Sequence, residues 1–123
     1  MNTVVWIVQV VLALGFLMAG AMKLTQPRAK LAPQMGWVED VTDAQVKGIG
    51  LVEVAAALGL VLPGATDIAP ILTPLAAAGL VIVMIGAAAT HLRRHEPKFV
   101  LINASLLVLA SIVAGARFGP YSF

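Results

Sequence analysis

Four residues of this chain combine chemistry with an apolar setting. Glu53 sits inside the run Ile49-Gly50-Leu51-Val52-Glu53-Val54-Ala55-Ala56-Ala57, Lys23 closes a run that begins at Val4, His91 closes one that begins at Ile71, and Asn103 interrupts one that begins at Phe99. An ionised carboxylate at membrane depth costs several kcal/mol, so such a residue turns toward a bundle interior or a cavity and has a partner. Lys23 is the obvious cation for Glu53. A carboxylate–ammonium pair next to an imidazole and an amide can handle a proton or hold a polar headgroup. The same pair can also serve only to hold helices in register.

The elements that position these groups follow from composition. The chain has 123 residues, of which 60% are apolar and 11% charged, with a mean hydropathy of +0.97. A soluble domain is typically about 45–50% apolar and about 25% charged, so this chain has too few polar groups to cover a water-exposed surface. The apolar runs are each about 17–20 residues, enough for a helix to cross about 30 Å of hydrocarbon. None alternates polar and apolar positions, which excludes a transmembrane β-barrel. We therefore expect an all-α polytopic membrane protein. Its four transmembrane helices should cover about residues 4–23, 44–62, 69–92 and 98–116, in one antiparallel bundle spanning 1–123. The segment 24–43, with Pro27, Pro33, Gly36 and Trp37, is expected to be an ordered loop on the cytoplasmic side.

Boundary signals refine this plan. Thr42 and Gln45 have capping-box spacing. Pro63-Gly64 is expected to end the second helix. Thr66 or Asp67 is expected to cap the third, with Pro70 in its first turn and Pro74 marking a kink or a later start. Ala19-Gly20-Ala21 mimics a signal-peptidase site, but the run lacks a basic flank before it and is too long, so cleavage is not expected. The absence of cysteine excludes disulfides and thiolate chemistry. A net charge of +2 without a basic patch gives nucleic acid no footing.

Topology brings the polar residues to one depth. Lys23, Arg28, Lys30, Lys47, Arg93, Arg94 and Lys98 lie in or beside two loops, and only Arg117, in the C-terminal tail, lies at the other end. The positive-inside rule puts both basic loops in the cytoplasm and both termini outside. Trp6 and Tyr121 then anchor the outer interface and Trp37 the inner one. Helical side chains tilt toward the helix N-terminus. Lys23 and His91 lean into the membrane, Glu53 and Asn103 lean toward the cytoplasm, and the four converge.

Gln9, Leu12, Phe16, Ala19 and Lys23 form one stripe, and Gly50, Glu53 and Ala57 another, with small residues suited to close helix contact. Ala76, Gly79, Gly86, Ala104 and Ala110 suggest similar contact later in the chain. Lys47 is expected to snorkel to lipid phosphates. His91 either touches headgroups beside Arg93 and Arg94 or joins the polar layer. Asn103 and Gln9 read best as interhelical hydrogen bonds. His91, His95, Glu53 and Glu96 lack a metal-binding pattern, so no metal site is expected, and no nucleophile–base arrangement or phosphate loop is present.

Phe16-x-x-Ala19-Gly20-x-x-Lys23-Leu24, Lys47-x-x-Gly50-x-x-Glu53, Pro74 ahead of a Gly/Ala-rich stretch ending at His91, and Asn103 together resemble the DoxX-like family over essentially the whole chain. The resemblance implies a small four-helix membrane protein of the bacterial inner membrane. In it, Lys23, Glu53, His91 and Asn103 occupy recurrent polar positions. The family name comes from a subunit of a thiosulfate:quinone oxidoreductase, and some members are tied to membrane redox or stress assemblies. A likeness in helix count to vitamin K epoxide reductase does not extend to mechanism, because the cysteines are missing.

The expected function is a non-catalytic subunit or a binder of a small amphiphile, a quinone or a lipid, at the Glu53–Lys23 layer. The alternatives are a proton-coupled transporter formed by a homo-oligomer and an anchor for a peripheral enzyme. Expected partners are the bilayer, further copies of the chain and an oxidoreductase.

Overall fold

The computed structural model describes residues 2–33 and 35–123. Four long helices dominate it: α1 (Asn2–Thr25), α3 (Asp43–Thr66), α4 (Leu72–Arg93) and α5 (Pro97–Phe118). Between α1 and α3 lie a single helical turn, α2 (Arg28–Leu31), and a 3-10 turn (Gly36–Asp40). All four long helices are apolar enough to cross a membrane, and at 22–24 residues they measure about 33–36 Å. Ile7, Leu14, Met18, Ile82 and Leu101 face outward and are exposed. In water such a surface would aggregate; in a bilayer it is the lipid-facing wall.

The helices form a ring in chain order. α1 packs on α3, α3 on α4 and α4 on α5, while α1 and α5 meet sparsely. Close approach of α1 to α3 depends on two glycines. A Cβ on Gly20 would lie 2.7 Å from the Gly50 carbonyl oxygen, and one on Gly50 would lie 2.8 Å from the Gly20 carbonyl oxygen. Gly59 plays the same part toward Ala76 at the α3–α4 crossing. Gly79 and Gly86, expected to mark helix contacts, face open space, and Ala104 is exposed; the tight crossings lie elsewhere. The core is a column of Leu12, Phe16, Leu60, Leu80, Met84 and Val113. A second cluster of Leu31, Val38 and Val46 ties the inter-helix segment to the start of α3. There the expected capping box is present, with Gln45 N–H donating to Thr42 Oγ1 and Thr42 N–H to Gln45 Oε1.

Three boundaries differ from expectation. α3 does not stop at Pro63-Gly64; it continues to Thr66 and ends on Asp67 in the left-handed conformation (φ 58°). Pro63 has no N–H for the Gly59 carbonyl one turn earlier. The Thr73 hydroxyl supplies that missing donor at 2.9 Å, so the helix passes the proline with its backbone satisfied. α4 begins at Leu72, without a side-chain cap from Thr66 or Asp67. Pro70 therefore precedes the helix, and Pro74 falls in its first turn, where no N–H is needed. α5 runs on to Phe118 and draws Arg117 into the bundle, where it is 2% exposed. A residue expected in the C-terminal tail, beyond the fourth helix, is thus buried within it. Its stem and guanidinium find aromatic rings and amide oxygens in place of water.

Candidate functional site

Lys23, in the last turn of α1, and Glu53, in α3, are placed by the Gly20–Gly50 crossing between them. Lys23 Nζ donates to Glu53 Oε1 at 2.5 Å, and the side chains are 9% and 4% exposed. The ring of Trp37 lies 5.8 Å from the same ammonium. Trp37 thus helps cover the pair as well as standing at the bundle end. Lys47, expected to reach lipid phosphates, instead donates to the Leu24 carbonyl at 3.2 Å. That carbonyl belongs to the unpaired last turn of α1, which attracts a cation.

Asn103 projects from α5 and is 8% exposed, and among the described residues its Nδ2 has no hydrogen-bond partner. Among the described residues, the interhelical bond expected of this amide is not donated by Nδ2. His91, near the end of α4, shares a 2.9 Å hydrogen bond between its Nδ1 and Glu96 Oε1 and stacks on Phe99, with centroids 5.0 Å apart. It therefore faces the interior rather than headgroups.

Lys23, Glu53, His91 and Asn103 all line one cavity of about 820 Å³. The rest of its wall is mostly apolar, with Gly15 and Phe16 from α1, Met84 and Gly86 from α4, and Leu106 from α5. Among its lining residues, Val11, Phe99 and Ile102 are also exposed on the outer surface. The mouth therefore lies along the loosely packed α1–α5 seam and opens toward lipid. Gly15 and Gly86 leave open space where side chains would stand. Pockets of about 300–1,000 Å³ that are mostly apolar, with a few convergent polar groups, are the usual form of small-molecule sites.

A polar cover closes the cavity end beside Trp37. Arg94, just past α4, forms ion pairs with Asp40 of the 3-10 turn and with Glu96, the latter at 3.2 Å. The hydrogen bond from His91, aided by the nearby charge of Arg94 and opposed by partial desolvation, holds the Glu96 carboxyl below its usual range. The bond to Asp40 raises the Arg94 guanidinium further still. Sequence reasoning missed Glu96 and Arg94 as parts of the site; the five-residue spacing from His91 to Glu96 across the α4–α5 turn was the available signal. Among the described residues no three His, Asp or Glu side chains gather at metal-binding distance. Chemically, the site offers a neutral ion pair, one free amide donor, and an imidazole linked through Glu96 to the surface.

The second buried polar group lies at the other end. Gln9 Nε2 donates to the Leu60 carbonyl at 2.6 Å, and Gln9 Oε1 accepts from Arg117 Nε at 2.6 Å. The interhelical role expected for Gln9 is met, with a partner the sequence did not suggest.

Four apolar helices of membrane-crossing length, with polar groups turned inward, define a multi-pass membrane protein of the four-helix-bundle class. The chain belongs to the DoxX-like family, whose family model matches residues 7–113. That stretch runs from the first turns of α1 into α5 and contains all four polar-layer residues. No curated protein and no solved structure matches the chain.

Proposed function

We propose that this protein is a non-catalytic binder of a small amphiphile taken laterally from the bilayer. The headgroup lies against Lys23, Glu53 and Asn103, and the apolar part runs along the α1–α5 seam. The observation that carries this reading is the Asn103 amide: a buried donor without a partner, on the wall of a cavity already walled by apolar side chains. A buried unpaired donor costs about 1–3 kcal/mol, and an acceptor on a bound molecule removes that cost. The Lys23–Glu53 pair has no net charge, which favours a neutral headgroup with carbonyl or hydroxyl oxygens. A quinone and a single-chain lipid both fit that description.

In this reading the protein holds the molecule for a membrane redox or stress assembly. The basic residues at the cavity end support a bacterial inner-membrane orientation with that end in the cytoplasm. Mass spectrometry of protein purified in mild detergent tests the proposal. One small amphiphile should co-purify, and Asn103→Leu and Glu53→Gln should each lower its occupancy. An empty cavity in wild type, or unchanged occupancy in both variants, would overturn it.

A further inference from the structure

We infer that Arg117 is a second binding site, for the phosphate of an anionic phospholipid, at the end of the bundle opposite the cavity cover. Arg117 is 2% exposed, and all its hydrogen bonds go to neutral groups. Nε donates to Gln9 Oε1 at 2.6 Å, and Nη1 donates to Asn2 Oδ1 at 2.5 Å and to the Tyr121 carbonyl at 2.8 Å. Nη2 is buried and, among the described residues, has no partner. The ring centres of Phe123 and Trp6 lie 4.2 and 5.3 Å from the guanidinium carbon. Among the described residues no carboxylate pairs with it.

An arginine keeps its charge in proteins, and a cation withdrawn from water without an anion is costly. Ring faces and amide oxygens offset part of that cost but bring no negative charge. The missing component is an anion with an oxygen for Nη2. Depth identifies the class. Arg117 is in the last turn of α5, level with Trp6 and next to Tyr121, where aromatic residues mark the headgroup layer. The abundant anion of that layer is the phosphate diester, and a guanidinium matches phosphate geometry. The cover is light, since Phe123 is 45% exposed and Gly119, Pro120, Tyr121 and Ser122 are exposed as well. This site shares no residue with the cavity, and of its members only Gln9 lies within the stretch 7–113 matched by the family, so it stands or falls separately from the amphiphile reading.

The test uses delipidated full-length protein in neutral detergent. Native mass spectrometry and thermal unfolding are read while phosphatidylglycerol, phosphatidylcholine of the same chains, or inorganic phosphate is titrated. Wild type should prefer phosphatidylglycerol by about fivefold, the effect of one basic residue near anionic lipid. Arg117→Gln should bring the ratio to about one, whereas Lys98→Gln, at the other end, should leave it in place. Phe123→Ala keeps Arg117 and thins its cover, and should raise phosphatidylglycerol occupancy.

A preference retained in Arg117→Gln overturns the inference. So does full stabilisation by inorganic phosphate alone, which would mean a free-anion site. Loss of a dimer in Arg117→Gln at unchanged lipid preference also overturns it, since the anion would then be a neighbouring copy's carboxylate. Should Arg117→Gln fail to fold, Phe123→Ala decides, and an unchanged phosphatidylglycerol occupancy overturns the inference.

Discussion

Removing one charge of the Lys23–Glu53 pair should cost far more than removing both. The side chains are 9% and 4% exposed and joined at 2.5 Å, so each is the other's main compensation. Breaking a buried pair by deleting one partner costs about 3–5 kcal/mol, whereas replacing both with apolar residues of similar size is often neutral or stabilising. Glu53→Gln keeps one amide oxygen near the ammonium, and the Trp37 face at 5.8 Å adds about 1 kcal/mol of cation–π support. We therefore place Glu53→Gln at the lower limit, about 3 kcal/mol, with Lys23→Met about the same. Glu53→Leu, which leaves the ammonium no side-chain oxygen, should cost about 4 kcal/mol; the double variant Lys23→Met/Glu53→Leu should fall within about 1 kcal/mol of wild type, giving a coupling of about 7 kcal/mol between Lys23→Met and Glu53→Leu.

Reversible unfolding in mixed micelles, followed by loss of helical circular dichroism, measures all four corners of the cycle. The amphiphile occupancy of the double variant is then read separately, and it should fall although the fold survives. A Glu53→Gln cost below about 1 kcal/mol would refute the claim that the pair is desolvated. Wild-type occupancy in a stable double variant would refute the claim that the headgroup rests on it.

Gly15→Leu and Gly86→Leu place side chains into open space. Each should expel the bound molecule while raising stability by up to about 1 kcal/mol through helix propensity; mass spectrometry and the unfolding assay check the two halves. Thr73→Val strips the Gly59 carbonyl of its substitute donor and should cost about 1–3 kcal/mol, while Pro63→Ala in the same background should restore most of it. The Glu96 carboxyl sits below its ordinary value of 4.5. Its contribution to the cavity cover is therefore complete above that value and lost as pH falls through the lower folded value. Trp37 fluorescence in a Trp6→Phe background should report loosening only below about pH 4.5, and Glu96→Gln should flatten that response.

Much of the bundle was legible because its signals are one-dimensional. Lengths of apolar runs gave four helices, and the Thr42–Gln45 spacing gave a cap that is present. Convergence of Lys23, Glu53, His91 and Asn103 followed from helix direction and side-chain tilt alone, both fixed by backbone geometry. Most of the misses share one cause: each depended on a partner in another helix. Pro63 reads locally as a stop, and only Thr73, on the next helix, lets α3 continue. Arg117 reads as a tail cation until Gln9 and Asn2, more than a hundred residues away in sequence, are placed beside it. Gly86 reads as a contact point, but whether a glycine faces a helix or a void depends on the ring's closure.

The α1–α3 crossing also bears on how the chain enters the membrane. Lys23 and Glu53 are separated by 30 residues, which is the end of α1, the short connecting turns and the first half of α3. Each helix alone would carry an uncompensated charge into hydrocarbon. As a hairpin with Gly20 against Gly50, the two can partition together with their charges already cancelled. At about 5–20 residues per second of synthesis, that hairpin is complete seconds before α5 emerges. The seam between the first and last helices is then the last wall to close, so the cavity is still open to the surrounding lipid while the protein is being made.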